Sequence, residues 1–203
     1  MAVALNANAL ITLAELDLIL GITIGDADKS NMLINFASDF IEKYVGMDLN
    51  SKAYAGIFFD GTGDYDLFLP QFPIVSITSI ESWDTYNNVT SQSYDEYTDY
   101  LIHSEEGIIY NRNGWARGKK NYKITYDAGY ATIPYDVKTA CAQLAGWLYS
   151  QPMSSGVKSE TIGTYSITYG NANSVLINGL AIPAGILSLL VGYKKQRIAG
   201  RLN

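Results

Sequence analysis

Cysteine and histidine are nearly absent from this sequence: Cys141 and His103 are the only ones. A lone cysteine excludes an intrachain disulfide, so the fold does not require an oxidising compartment. One cysteine and one histidine cannot supply the ligand set of a zinc site. His103 lies in a stretch that reads as a strand, with no serine or cysteine motif beside it, so a nucleophilic triad is not expected. Charge is also scarce. Charged residues make up 17% of the chain, and 14 Lys and Arg against 20 Asp and Glu leave a net charge of −6. A dedicated nucleic-acid binder carries a basic face, so that class is disfavoured, although DNA could pass such a chain without sticking. Long apolar runs are missing: Ile186-Leu187-Ser188-Leu189-Leu190-Val191 is far too short to span a bilayer. The opening eight residues hold no basic cluster, so a signal peptide is not expected. The Asn88-Val89-Thr90 sequon is empty in a chain that is not secreted.

What the chain does have is tyrosine, 16 of them. Tyrosine is amphipathic and loses little rotamer entropy on burial, so it is enriched where protein meets protein. The 203 residues suit one domain, or one with a large insert. The most telling stretch is Leu67-Phe68-Leu69-Pro70-Gln71-Phe72-Pro73-Ile74-Val75. Each proline removes a backbone donor and fixes φ, so one strand must end here, turn a rigid corner and give way to another. The expected second strand puts Ile74, Ser76, Thr78 and Ile80 on one face.

Thr12-Leu13-Ala14-Glu15 reads as a capping box opening a brief helix, with Leu13, Leu16, Ile19 and Leu20 as its apolar stripe and Gly21 as its end. A second helix starts at Asp26 or Asp28, shows Met32, Phe36, Phe40 and Tyr44 as its core face, and stops at Gly46. From about residue 53 to 130 the pattern becomes strand-like. Asp60-Gly61-Thr62-Gly63-Asp64 reads as a hairpin turn, Glu105-Glu106-Gly107 as another tight turn, and 84–99 as an exposed acidic loop. Pro134 restarts a helix, with Val137, Cys141, Leu144, Ala145 and Leu148 on its apolar face; Cys141 there reads as a small buried hydrophobe. Residues 161–170 alternate like a strand, 171–179 read as a loop, and Pro183 opens a last helix containing Ile186, Leu187, Leu190 and Tyr193.

These elements predict an α+β fold: a helical bundle (an N-terminal helix pair, a central helix and a C-terminal helix) with an inserted antiparallel β subdomain. The expected organisation is a single domain over 1–203. Its parts are N-terminal helices in 1–50, the β subdomain in 51–130, a helix in 131–152, a loop and strand arm in 153–180, and a C-terminal helix and tail in 181–203.

No constellation of catalytic groups emerges, and neither an enzyme nor a cofactor or metal is expected. The carboxylates of Asp60, Asp64 and Asp66 depart from the EF-hand pattern and lie between strands, so a solvated turn is favoured over a calcium loop. Gly114-Trp115-Ala116-Arg117-Gly118-Lys119-Lys120 lacks the spacing of a phosphate loop and reads as an exposed hairpin loop. The basic end, with Lys194, Lys195, Arg197 and Arg201, admits two readings. It either compensates the dipole of the last helix or docks on an acidic partner.

The ordered set of motifs resembles the tailed-phage head–tail connector, or adaptor and head-completion, proteins. The residues that carry the likeness are Leu10-Ile11-Thr12-Leu13-Ala14-Glu15-Leu16, then Ala37-Ser38-Asp39-Phe40-Ile41-Glu42-Lys43-Tyr44-Val45-Gly46. They continue with Leu69-Pro70 and Pro73-Ile74-Val75-Ser76-Ile77, then Tyr126-Asp127-Ala128-Gly129-Tyr130 with Ile133-Pro134, and the stretch from Ser159 to Tyr169. The stretch 82–99 is longer than in the smallest members.

The resemblance implies a structural protein of the virion neck, made in the host cytoplasm. It would form a homo-oligomeric ring, commonly of twelve subunits, that docks under the portal protein after packaging and extends the DNA channel. The ring would offer an attachment surface to the next stopper or tail-completion protein. Genomic DNA would pass without sequence-specific binding, past a wall whose negative charge does not hold phosphates, and no membrane would be involved. A different neck or tail-completion ring, further from the portal, is the alternative. Portal docking is expected of Leu190, Tyr193, Lys194, Lys195, Arg197 and Arg201. Subunit contacts are expected of neighbouring β subdomains and of Met153, Thr161, Ile162 and Tyr165.

Overall fold

The computed structural model describes residues 2–21, 25–84, 89–150, 159–162, 165–168, 174–177 and 180–194. The chain forms two compact units, Met1–Gly46 with Pro134–Asn203, and Met47–Ile133. In the first unit the capping box forms as its signature predicts. The Thr12 hydroxyl accepts from the Glu15 amide, and the Glu15 carboxylate accepts from the Thr12 amide, at the start of α1 (Leu13–Leu20). α2 (Ala27–Val45) begins at Asp26, whose carboxylate accepts from the Lys29 amide, and α3 (Tyr135–Ser150) follows Pro134. Ile34, Ala37, Ile41 and Val45 of α2 are buried, as are Val137, Ala140, Cys141 and Leu144 of α3. Ser38 Oγ meets Cys141 Sγ at 3.7 Å across the packed helices. Burial pushes the Cys141 thiol up to about 12, so it acts as a packing group and not a nucleophile.

α2 does not bury the stripe its sequence suggests. Met32 is 58% exposed and Phe36 44%, while Phe40 is buried. A row of residues four apart advances 400° per step and drifts around the helix. This row therefore begins in solvent, reaches the core at Phe40 and leaves Tyr44 half-buried. Beside it runs a polar stripe, and the N-terminal arm lies along it. The Val3 amide donates to Asp28 Oδ1, Asn31 and Asn35 donate to the Val3 and Ala4 carbonyls, and Asn35 Oδ1 accepts from the Asn6 amide. Asn8 donates to Asp39 and Glu42, and the Leu10 amide to Ser38 Oγ. Asp28 to Glu42 spans about 21 Å of helix, close to the reach of the extended arm.

One ion pair ties α1 to α3: Lys138 Nζ lies 2.5 Å from Glu15 Oε1, with both side chains largely shielded. The hydrogen bond from Lys138, then the one from the Thr12 amide, holds the Glu15 carboxyl below its ordinary 4.5. A depressed carboxylate contributes stability above its unfolded value and loses it as pH falls through the folded one. Lys138→Met is therefore expected to lower Tm by a constant amount from neutral pH to about pH 5, with the gap closing below 4.5. Thermal unfolding of the two proteins across that range checks it; a gap that widens in acid refutes the pairing.

The remaining described residues of this unit include two hairpins and a short helix. β8 (Ser159–Ile162) pairs with β9 (Tyr165–Thr168), and β10 (Ser174–Ile177) with β11 (Leu180–Pro183). α4 (Ala184–Ser188) follows, then a 3-10 turn at Val191–Tyr193.

The second unit is two antiparallel sheets on one core. β1 (Lys52–Gly61), β7 (Gly118–Ala128), β3 (Ile74–Asp84) and β4 (Val89–Tyr94) form the larger sheet in that order. β2 (Asp66–Phe68), β6 (Ile108–Asn111) and β5 (Tyr100–His103) form the smaller. Leu67, Tyr100 and Ile109 of the small sheet share a buried cluster with Ile80, Tyr122, Ile124 and Tyr126 of the large one. Trp115 joins them: its indole N–H donates to the Ile109 carbonyl, and its ring stands edge-on to Tyr122 at 5.0 Å and 5.5 Å from Tyr94.

The proline corner is as predicted, with a cis peptide at Phe72-Pro73 and β3 starting at Ile74. The strand beyond it does not alternate simply. Its ladder with β7 slips between Ile74 and Ser76 and again between Ile77 and Ser79. Each slip adds one residue on β3, so residues three apart return to the same face. That is how Ile74, Ile77 and Ile80 all reach the core. β1 has its own bulge between Tyr54 and Ile57, where Gly56 adopts φ +63° and its amide donates to Thr125 Oγ1.

Several expectations are corrected. The fold is a β-rich α+β arrangement and not a helical bundle with an inserted subdomain. Among the described residues more lie in strand than in helix and there are four separate antiparallel sheets, and α1 and α4 have only 8 and 5 residues. The stretch 84–99 contains β4 and 171–179 contains β10. The Asp60–Asp64 turn is not a hairpin: β1 pairs with β7 and β2 with β6, so it carries the chain from one sheet to the other. Trp115 is buried, although its neighbourhood reads as an exposed loop.

Candidate assembly surfaces

The groups that could have carried chemistry are engaged elsewhere or stand apart. Lys119 Nζ pairs with Asp60 Oδ2 at 2.6 Å, and Asp60 also accepts from the Lys120 amide; both hold its carboxyl below the ordinary range. Asp64 accepts from the Tyr65 amide. His103 Nδ1 lies 3.9 Å from Glu106 Oε2 on an exposed hairpin. Among the described residues no group of three or more His, Cys, Asp or Glu converges to hold a metal.

What the first unit offers is a surface. Tyr44, Val175, Ile177, Leu187 and Val191 line a shallow groove, with Lys194 at its rim. Val191 is 63% exposed, and Leu176 projects from the neighbouring hairpin at 76%. Lys194 Nζ sits 4.7 Å from the centroid of the Tyr44 ring, a cation–π contact that holds this end of the chain on α2. Leu190 is buried and anchors the turn. Tyr193 is half-buried, and desolvation followed by the Asp136 charge raises its phenol. Of the expected docking residues, Leu190, Tyr193 and Lys194 are thus brought together, while Lys195, Arg197 and Arg201 lie outside the described residues. Of the expected subunit contacts, Thr161, Ile162 and Tyr165 fall on the β8–β9 hairpin, where Ile162 faces Tyr165 in register; Met153 lies outside the described residues.

Comparison with known proteins identifies the family to which this surface belongs. Residues 9–196 match the model of the head completion protein family. The chain belongs to that family. The resemblance read from the ordered motifs is thereby borne out. No curated protein matches in sequence. Solved structures share the fold, among them three chains of gene transfer agent particles. A chain in the neck of an empty gene transfer agent particle, computed with C6 symmetry, is 16% identical with a TM-score of 0.63. A chain in the virion of the native particle is 18% identical at 0.63, and one in the native neck computed with C12 symmetry is 17% identical at 0.60. Each match covers 98% of this chain and 97% of the other.

For a head completion protein, the residues that sequence reasoning missed are the exposed apolar ones. Val175 and Leu176 were hidden in a stretch read as a loop. Met32 and Phe36 lie on the face that the helical period predicts for the core. The signal that could have found the first pair is the Ser174-Val175-Leu176-Ile177 run facing Leu180-Ala181-Ile182 across Asn178-Gly179, a two-residue turn pair favoured in hairpins.

Proposed function

We propose that this head completion protein is the head–tail adaptor. It is a non-enzymatic ring of identical subunits that docks under the portal after packaging, extends the DNA channel and presents the attachment surface for the next neck component. The observation that carries this reading is the apolar groove at the C-terminal end of the first unit. Val191 and Val175 line it in solvent together with Lys194, and the sequence continues from there into Lys195, Arg197 and Arg201. An apolar centre with a cationic rim suits an acidic, partly apolar partner surface, because buried apolar area supplies affinity and rim charges steer encounter. The solved neck structures with C6 and C12 symmetry that share the fold support the ring. The portal is the occupant of the groove in this reading.

The test is capture of the purified chain by its cognate portal ring. Val191→Asp buries a charge at the centre of the contact and is expected to weaken binding roughly 30-fold, with the fold intact because the side chain is exposed. Reversing Lys194, Lys195 and Arg197 together to Glu is expected to act mainly on the association rate and its salt dependence. Variants that dock like the wild type overturn the portal assignment. Capture by a tail-completion protein in place of the portal moves the ring further down the neck.

A further inference from the structure

The second unit exposes an aromatic patch on the outer face of each of its two sheets, and no ligand chemistry accounts for either. On the small sheet Leu67 and Ile109 point to the core, so Phe68, Tyr110 and Leu101 point away. Tyr65 stacks on Tyr110 with ring centroids 6.2 Å apart, Tyr97 is 80% exposed, and Arg112 lines the notch between them. Arg112 forms no ion pair among the described residues. On the large sheet Tyr122 and Ile124 point to the core, and Lys123 between them points away, in register with Phe58 on one side and Glu81 on the other. Phe58 meets Trp83 edge-to-face at 5.6 Å, and Lys123 Nζ sits 5.0 Å over the Trp83 ring.

Both sheets pack their inner faces into one cluster, so these two patches lie on opposite sides of the same sandwich. We infer that the occupant of each patch is the other patch on a second copy of this chain, so that subunits join head to tail through the second unit. The inference rests on the ring reading above and names its contact. An isologous dimer covers one self-complementary patch and leaves the other in water. A head-to-tail contact covers both patches in every copy of a closed ring. The charges match in both directions: Arg112 on the small sheet can meet Glu81, and Lys123 on the large sheet can meet Asp66 or Asp99. Exposed tyrosine, phenylalanine and arginine in one cluster are also the residue types that dominate binding energy at interfaces.

The test is a photocrosslink. Benzoylphenylalanine replaces Tyr97 in the full chain, an aromatic-for-aromatic change at an exposed position. Light and isotopically heavy copies are mixed at roughly millimolar concentration, the range that tethered neighbours experience. The expected product is a light–heavy dimer whose crosslink maps to the large sheet around Phe58, Glu81 or Trp83. Arg112→Glu is expected to reduce its yield about tenfold or more, and Glu81→Arg in the other copy to restore part of it. Crosslinks that map back to the small sheet, or no intermolecular product, overturn the inference. A chain that crosslinks as expected but ignores the portal keeps this contact and loses the adaptor reading; one that binds the portal without this crosslink does the reverse.

Discussion

Replacing Trp115 by alanine is expected to destabilise the Met47–Ile133 unit by about 4 kcal/mol, the middle of the range for truncating a buried aromatic. The side chain is 1% exposed and lies in the cluster shared by both sheets. Its removal deletes contacts to Tyr94 and Tyr122 together and leaves a cavity where the sheets meet. Trp115→Phe separates the two contributions. It keeps most of the packing and loses the N–H donated to the Ile109 carbonyl, so about 1–2 kcal/mol is expected. Urea denaturation followed by far-ultraviolet circular dichroism measures both. A loss under about 1 kcal/mol for the alanine variant would mean that the sheets do not depend on this ring.

Gly61→Ala is expected to cost about 3 kcal/mol, at the limit of what local overpacking usually does. Gly61 ends β1 opposite Gly118 of β7, and its amide donates to Asn121 Oδ1. A Cβ at this position falls 1.9 Å from the Ala116 carbonyl oxygen and 2.8 Å from Tyr122 Cε2. The first obstacle is backbone, which cannot rotate aside as a side-chain tip can. Ala116 is itself held, because its carbonyl accepts from Asn121 Nδ2 and its amide donates to the Tyr122 hydroxyl. Gly185→Ala is the control: a Cβ there meets nothing within 4 Å, and alanine in α4 is expected to be neutral or stabilising by up to about 1 kcal/mol. Equal Tm values for the two variants would refute the close approach at Gly61.

Local chemistry was the legible part of this chain. The Thr12–Glu15 box, the helix ends at Gly21 and Gly46, the Pro134 restart, the buried Cys141 and the β5–β6 hairpin all depend on a few adjacent residues, and each forms as read. The polarity of β4 hid it. Val89-Thr90-Ser91-Gln92-Ser93-Tyr94 is an edge strand, paired on one side only, and it carries no apolar alternation. The bulges of β3 hid the core face of that strand, because a period of three is neither helix nor regular strand. Long-range pairing hid the rest. Nothing near Asp60 says that β1 will pair with a strand some sixty residues away, so the helices looked like the framework and the sheets like an insert. The candidate surfaces were half legible. The cationic end was visible as composition, but which apolar residues stay in solvent is decided by packing partners that arrive from distant parts of the chain.

The division of the chain also sets an order of events during synthesis. Met47–Ile133 is one continuous stretch, so it can complete its two sheets as soon as β7 has left the ribosome. The other unit is built from both sides of it. At about 5–20 residues per second, α2 waits roughly 5–20 s between its own emergence and that of Val137, Cys141 and Leu144 on α3. During that interval Ile34, Ala37 and Ile41 have no native partner on α3, and this helix is the segment of the nascent chain that a holding chaperone would find.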